Sequence, residues 1–161
     1  MRPILVHRLI GDPVTQRRES RSVTGGIFLA RILIVDDDPD IGSVLQEILE
    51  LKGHSVVSAC NGLAAIEYLS SSPLPDIVLA DVMMPVMNGK ELIERIRATP
   101  RTASLSVILV TGASPGNKDF PDPGTYDALV SKPFDIWDVT DCIESLLAPI
   151  LSEEKLLQAE L

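Results

Sequence analysis

From residue 31 onward, short apolar runs alternate with longer segments in which apolar residues repeat every three or four positions. The first run, Ile32–Val35, is continuous and largely β-branched, which is typical of a strand covered on both faces. A helical pattern follows, which begins at Asp38 and Pro39 and stops at Gly53. Strands that alternate with helices form a parallel sheet, so this feature predicts an α/β fold with helices on both sides.

The same alternation continues along the chain. It predicts strands over residues 54–60, 77–80, 106–111 and 129–131, and helices over residues 62–70, 90–98 and from about residue 136. One interval breaks the pattern, because the residues between Thr111 and Ala128 include three prolines and three glycines where a helix is due. Each interior proline costs a helix about 3 kcal/mol. We therefore expect the fourth helix to be disrupted.

The charge is distributed unevenly over a chain whose formal net charge is -9. Residues 1–31 carry six arginines against Asp12 and Glu19, a net charge of +4, which leaves 8 basic and 21 acidic residues, net -13, for residues 32–161. We expect residues 1–30 to form a flexible basic extension, residues 31–148 a single domain, and residues 149–161 a short C-terminal tail. The basic extension could fold back on the acidic face of the predicted pocket, although solvation in a mobile tail is the simpler interpretation.

The composition also excludes several classes of protein. The acidic domain argues against direct binding of nucleic acid or anionic membranes, both of which favour clustered Lys and Arg. No apolar stretch approaches the roughly 20 residues of a membrane span, so we expect a soluble, cytoplasmic protein. Two cysteines, Cys60 and Cys142, are too few for a disulfide framework and are expected to be buried free thiols.

Polar side chains follow four of the predicted strands, at the point where each strand ends. They are Asp36 and Asp37 after the first strand, Asp81 after the third, Thr111 after the fourth and Lys132 after the fifth. Ligands of parallel α/β sheets bind beyond the carboxyl ends of the strands. If these strands are neighbours, the five side chains converge on one pocket.

Clustered carboxylates raise one another's pKa unless a cation offsets their repulsion. Mg²⁺ suits such a site, because it prefers hard oxygen ligands and often bridges one or two carboxylates to a phosphate. Asp37 and Asp81 would be direct ligands, and Asp36 would hold a coordinated water. A carboxylate can also act as a nucleophile that becomes an aspartyl phosphate, with Lys132 and Thr111 binding the phosphoryl oxygens. Each residue alone has an ordinary structural explanation, so only the combination indicates this chemistry.

Four stretches of the chain together resemble the receiver domain of response regulators in two-component signalling, namely residues 32–39, 76–89, 107–112 and 131–134. The resemblance covers about residues 31–148. It implies a flavodoxin-like, doubly wound sheet of five parallel strands in the order 2-1-3-4-5.

The resemblance also implies roles for individual residues. Asp81 is the expected phosphorylation site, Asp36 and Asp37 are the expected acidic metal pair, and the backbone carbonyl of Met83 is a further expected Mg²⁺ ligand. Thr111 resembles the family's switch hydroxyl and Lys132 its phosphate-binding lysine. The family also has a cis peptide bond at the position of Lys132-Pro133.

Two features depart from the family pattern. Leu129 stands where the family usually has Tyr or Phe, and residues 115–124 are rich in Pro and Gly where the family has its fourth helix. We hypothesise that phosphorylation is reported through a reshaped loop rather than through the standard dimerisation surface. A comparison of the oligomeric state with and without beryllofluoride tests this hypothesis, because phosphorylation-driven dimerisation through the standard face would refute it.

The resemblance implies that the phosphoryl group comes from a sensor histidine kinase or a histidine phosphotransfer protein and that a downstream protein responds. We expect a stand-alone receiver without a DNA-binding output domain, which catalyses its own phosphorylation but is not an enzyme in the usual sense. Two alternatives stay open. One is a degenerate receiver that acts only as an interaction module. The other is an aspartate-nucleophile phosphatase of the dehalogenase type that uses the acids at residues 36–38, although the threonine which that family places shortly after its acids is missing here.

Overall fold

A computed structural model of the chain describes residues 23–24 and 27–159, with side-chain environments for residues 29–148. Its core is a sheet of five parallel strands: β1 (Arg31–Val35), β2 (Ser55–Ala59), β3 (Ile77–Ala80), β4 (Ser106–Thr111) and β5 (Ala128–Ser131). The strands lie in the order β2-β1-β3-β4-β5, and each neighbouring pair is parallel. The predicted α/β architecture and strand order are confirmed.

Four helices are described: α1 (Pro39–Leu51), α2 (Gly62–Ser71), α3 (Gly89–Ala98) and α4 (Ile136–Ala159). Helix α1 begins at Asp38, whose carboxylate accepts hydrogen bonds from two backbone N–H groups of the first turn and so caps the helix. Helix α4 continues past Pro149, which is where the sequence placed the start of a C-terminal tail. The division of the chain at that point stays a prediction.

The strands place alternate side chains on the two faces of the sheet, as the pleat of a β-strand requires. In β1, Leu33 and Val35 pack with α2 and α3, whereas Ile32 and Ile34 pack with α1 and α4. All four are buried. Both faces of the sheet are therefore covered, which explains why the strands are apolar at consecutive positions.

Residues 112–127, here called the β4–β5 segment, contain no helix. Side chains hold the segment instead. The buried Phe120 meets Tyr126 edge to face, with ring centroids 6.1 Å apart. From α3, Arg97 donates hydrogen bonds to three carbonyl oxygens, those of Thr125 (2.8 Å), Ala103 (3.0 Å) and Leu105 (2.7 Å). The predicted loss of the fourth helix is confirmed, and α4 corresponds to the fifth helix of the expected pattern.

Before the sheet, Val23–Thr24 pairs antiparallel with Ile27–Phe28. Leu29 and Ala30 connect this pair to the sheet, and the rest of the predicted extension lies outside the described residues. Cys60 is exposed, so the prediction of a buried thiol is wrong for this residue. It is exposed because it follows the last position of β2, which is an edge strand. Cys142 is half-buried. Within the part of the chain that the structure describes, no helix is both long and apolar enough to cross a membrane.

Candidate functional site

Three carboxylates meet at the carboxyl edge of the sheet. Asp36 follows β1 and Asp81 follows β3, and these two strands are neighbours in the sheet. One oxygen of each of Asp36, Asp37 and Asp81 lies within 4.8 Å of the others. Asp36 and Asp81 are buried, whereas Asp37 is exposed. The cluster is therefore held by the sheet on one side and reaches solvent through Asp37 on the other.

Backbone amides fix one oxygen of each buried carboxylate. The Oδ1 atom of Asp81 accepts hydrogen bonds from the N–H groups of Val82 (2.6 Å) and Met83 (3.3 Å). The Oδ1 atom of Asp36 accepts one from the N–H of Asp38 (2.9 Å). Because these bonds restrict the rotation of both side chains, the second oxygens are directed toward the same place, where Lys132 lies.

Lys132 supplies the positive charge of the site. Its Nζ atom lies 2.7 Å from Oδ2 of Asp36 and 3.4 Å from Oδ2 of Asp81. Burial by itself would lower the pKa of Lys132, but the hydrogen bond to Asp36 and the charge of Asp81 outweigh burial and raise it. The ammonium group therefore keeps its charge at neutral pH. The peptide bond that follows, Lys132-Pro133, is cis.

The charge balance of the cluster fits a divalent cation. Among the described residues, three carboxylates cluster here and one ammonium group, that of Lys132, pairs with Asp36 and Asp81, so negative charge is left uncompensated in a partly buried place. The donors are carboxylate oxygens close enough to share one ion, and hard oxygen ligands are those that Mg²⁺ selects. The residues present thus fit a magnesium site.

Thr111 lies at the same edge of the sheet, as the last residue of β4. It is buried and pairs with Ser131 of β5, and its carbonyl accepts a hydrogen bond from the N–H of Lys132 (2.8 Å). Its Oγ1 atom accepts a hydrogen bond from the N–H of Ala113 (3.2 Å), in the first turn of the β4–β5 segment. Thr111 therefore lies beside the end of β5, which leads to Lys132. Its hydroxyl is hydrogen-bonded to the start of the β4–β5 segment.

The loop between β3 and α3 carries Met83 and has an unusual backbone. Val86 has φ 70°, a left-handed conformation that is strained for a β-branched residue. At Gly89, a Cβ atom would collide with the backbone carbonyl oxygen of Asp81. The sequence reasoning assigned no role to either residue. The Asn88-Gly89 pair at the start of a helix was the available signal for a close backbone approach.

The β4–β5 segment contacts this loop. Asn117 Nδ2 lies 3.9 Å from the sulfur of Met83, and Lys90 Nζ donates a hydrogen bond to the carbonyl of Lys118 (3.3 Å). Leu129, at the position where an aromatic residue was expected, is 36% exposed on β5. The structure therefore places the segment, rather than an aromatic side chain of β5, against the loop that follows Asp81.

Comparisons with known proteins agree with this architecture. The family model described as "Response regulator receiver domain" matches residues 32–144. A response regulator receiver domain protein of Methanospirillum hungatei is 32% identical with a TM-score of 0.69, over 78% of this chain and 98% of that one. The response regulator TrrA of Thermotoga maritima, solved with Mg²⁺ and BeF, is 30% identical with a TM-score of 0.65, over 74% of this chain and all of that one, 100%.

Relatives found by sequence belong to the same group of proteins. The response regulator receiver protein CpdR of Brucella abortus is 36% identical over 121 residues, which are 74% of this chain and 98% of that protein. The DNA-binding dual master transcriptional regulator RpaA of Synechocystis is 32% identical over 121 residues, 74% of this chain but only 49% of RpaA. The chain thus spans about half the length of RpaA and, likewise, of the response regulator Rre1, at 51%.

Proposed function

The chain belongs to the response regulator receiver family of two-component systems, and on this basis we propose that Asp81 accepts a phosphoryl group from a phosphohistidine of a partner protein. The observation that carries the proposal is the convergence of three carboxylates and Lys132 at one edge of the sheet. Receiver domains act with histidine kinases or histidine phosphotransfer proteins and with downstream targets. A sensor kinase or phosphotransfer protein is therefore the proposed donor, and a protein the proposed target.

Asp81 is suited to act as the nucleophile. Backbone amides hold its Oδ1 atom, while Oδ2 faces the pocket beside Lys132. In the proposed step, a lone pair of Oδ2 attacks phosphorus, the bond between phosphorus and the imidazole nitrogen breaks, and that nitrogen keeps the electron pair. Asp81 is buried, and its fixed Oδ1 reduces the number of unproductive orientations of the carboxylate.

Asp36, Asp37 and Asp81 would hold Mg²⁺, together with the backbone carbonyl of Met83. When bound, the ion offsets the negative charge of the carboxylates and of the phosphoryl oxygens. Lys132 is charged and adjacent to Asp81, so it is positioned to donate to a phosphoryl oxygen. Thr111 would donate from its hydroxyl in the same way. Loss of the phosphoryl group to water returns Asp81 to a carboxylate, so the chain is a transient acceptor that catalyses its own reaction.

Phosphorylation with a small phosphodonor and Mg²⁺ tests the proposal directly. An aspartyl phosphate is an acid-stable, base-labile adduct, and we expect it in the wild type and not in Asp81→Asn. Asp122→Asn is the matched control, because Asp122 is an exposed acid of the β4–β5 segment that is not a member of the cluster. It should be labelled like the wild type.

The same experiment distinguishes the two alternatives. A degenerate receiver would show no adduct even when a phosphohistidine protein is the donor. A phosphatase of the dehalogenase type would be labelled in Asp81→Asn, would lose the label in Asp36→Asn and would release phosphate rapidly. The structure does not favour this second alternative, since the carboxylate of Asp38 accepts hydrogen bonds from the first turn of α1 and caps that helix.

A further inference from the structure

Helices α1 and α4 present an apolar surface that the phosphoryl chemistry does not use. Val44 and Leu51 of α1 are 56% and 81% exposed, and Trp137 of α4 is 62% exposed. Val44 and Leu51 are seven positions apart and therefore lie on the same side of α1. Lys52 joins the two helices, since its Nζ lies 5.2 Å from the centre of the Trp137 ring and 3.7 Å from Oε1 of Glu144. We call this area the α1–α4 surface.

The α1–α4 surface is strongly acidic as well as apolar. Residues 39–51 and 136–148 carry six exposed carboxylates and neither Lys nor Arg, the acids being Asp40, Glu47, Glu50, Asp138, Asp141 and Glu144. Within the described part of the chain, Lys52 at the end of α1 pairs with one of these acids, Glu144, at 3.7 Å. A segment that is both apolar and basic would therefore complement this surface in two independent ways.

The chain itself enters the fold at one end of this surface. The backbone N–H of Ala30 donates to Nδ1 of His54 (3.2 Å). A Cβ on Gly53 would come 2.8 Å from Cδ2 of Leu29. Residues 29 and 30 thus pass directly beside the turn that follows Lys52 at the end of α1.

The sequence of that preceding segment has the complementary character. Residues 2–10 read Arg-Pro-Ile-Leu-Val-His-Arg-Leu-Ile, so two arginines are interleaved with five large aliphatic side chains and no acid. Residues 1–22 as a whole carry five arginines against Asp12 and Glu19. Such a segment is unusual for a purely solvated tail, since its aliphatic side chains gain from burial.

From these observations we infer that residues 2–10 dock in cis on the α1–α4 surface. Their aliphatic side chains cover Val44, Leu51 and Trp137, and Arg2 and Arg8 pair with the surrounding acids. Val23–Thr24 and Ile27–Phe28 pair antiparallel and add no reach, but the 12 residues from 11 to 22 can span up to about 40 Å when extended. Helix α1 is about 20 Å long, so the tether reaches. A tethered segment has an effective concentration in the millimolar range, which favours the same chain over a second copy. The inference does not depend on the proposed phosphorylation.

Trp137 makes the inference measurable, because it is the only tryptophan of the chain and lies within the surface. Acrylamide quenching of its fluorescence reports how far it is covered, and this neutral quencher does not respond to charge. In the full-length chain at low salt we expect quenching to rise about twofold in the Arg2→Glu/Arg8→Glu variant, since repulsion replaces attraction. Raising the salt concentration should increase quenching in the wild type and leave the variant unchanged.

The matched control is Arg17→Glu/Arg18→Glu, which makes the same charge change outside residues 2–10. It should leave quenching close to that of the wild type. Adding Asp141→Arg to Arg8→Glu should restore part of the protection that Arg8→Glu alone removes. Equal quenching in the wild type and Arg2→Glu/Arg8→Glu would overturn the inference, and so would an equal effect of the control pair. Protection that appears only as the protein concentration rises would assign the surface to a second copy instead.

Discussion

The aspartates at the two edges of the sheet have opposite surroundings. At the carboxyl edge, Asp36, Asp37 and Asp81 lie close together, and Lys132 pairs with two of them, Asp36 and Asp81. At the amino edge, each acid stands apart and has its own donors. Asp76, directly before β3, accepts from the backbone N–H of Arg31 at the start of β1 (2.9 Å).

The amino edge repeats this arrangement. Asp127, directly before β5, accepts from the N–H of Val107 in β4 (2.7 Å) and from Arg97 (3.4 Å). His54, directly before β2, accepts from the N–H of Ala30. In all three cases a side chain just before one strand satisfies a backbone donor at or near the start of its neighbour.

The difference shows which acids stabilise the fold and which are stabilised by it. Amino-edge acceptors satisfy donors that would otherwise be left unpaired, and they contribute to the free energy of unfolding. Carboxyl-edge acids repel one another and are kept together by the strands that carry them. Their negative charge is not fully compensated by the described residues, so it is available to a cation.

Removal of Asp76 should have the largest effect on stability. Asp76→Ala leaves the N–H of Arg31 without its acceptor at the base of the sheet, and this should lower the free energy of unfolding by about 1–3 kcal/mol. Urea denaturation measures the change. Asp76→Asn is the control, because its amide oxygen can still accept the bond and most of the loss should be recovered.

Labelling of the folded fraction of Asp76→Ala by a phosphodonor should match the wild type. If Asp76→Ala were as stable as the wild type, or if the folded variant could not be labelled, the separation of the two edges would fail.

Asp37→Asn should act in the opposite direction and by less. Two charges 4 Å apart in water interact by about 1 kcal/mol, so removing one exposed member of the cluster should raise the free energy of unfolding without divalent cations by a fraction of that amount. Mg²⁺ should then stabilise the wild type by about 1.4 kcal/mol at ten times its dissociation constant, and the variant less at the same concentration.

Thermal unfolding with EDTA and with Mg²⁺ measures both effects. Asp122→Asn, which removes an exposed charge elsewhere, should change neither. A destabilised Asp37→Asn variant in EDTA would mean that the cluster contributes to folding, as the amino edge does.

The sequence predicted the carboxyl edge better than the amino edge. Parallel strands bring their carboxyl ends to one side, so Asp36, Asp81 and Lys132 could be placed together once the family resemblance implied the strand order. The loss of the fourth helix could be predicted equally well, because prolines and glycines disfavour a helix in the segment that contains them. The proposed roles of the site residues, the division into domains and the absence of an output domain stay predictions.

Other features depend on contacts between distant residues, which no local pattern encodes. Asp76 and Asp127 resemble ordinary turn residues until their neighbouring strands are known. The anchoring of the β4–β5 segment by Arg97 joins positions 28 apart. Cys60 is exposed because β2 is an edge strand, whereas the prediction of a buried thiol rested on the residue type alone. Gly89 needs its small size because of the carbonyl of Asp81, which is close in space and eight positions away in sequence.

The smallest expected effect concerns His54 and the pH dependence of the amino edge. Burial, and next the charge of Lys52, lower the pKa of His54, although Glu144 and Asp76 act in the other direction. The unfolded chain therefore binds a proton near pH 6.5 that the folded chain does not yet accept. Stability is complete above that pH and falls as the pH drops through 6.5 toward the lower folded pKa.

His54→Asn places a non-titrating oxygen near the position of Nδ1 and so keeps an acceptor for the N–H of Ala30. Unfolding free energies measured from pH 7.5 to 5.5 should decline less steeply in this variant than in the wild type. Equal slopes would show that the protonation of His54 does not change the free energy of unfolding in this pH range. The amino edge would then contribute stability that does not vary with pH, and its contrast with the carboxyl edge would become sharper.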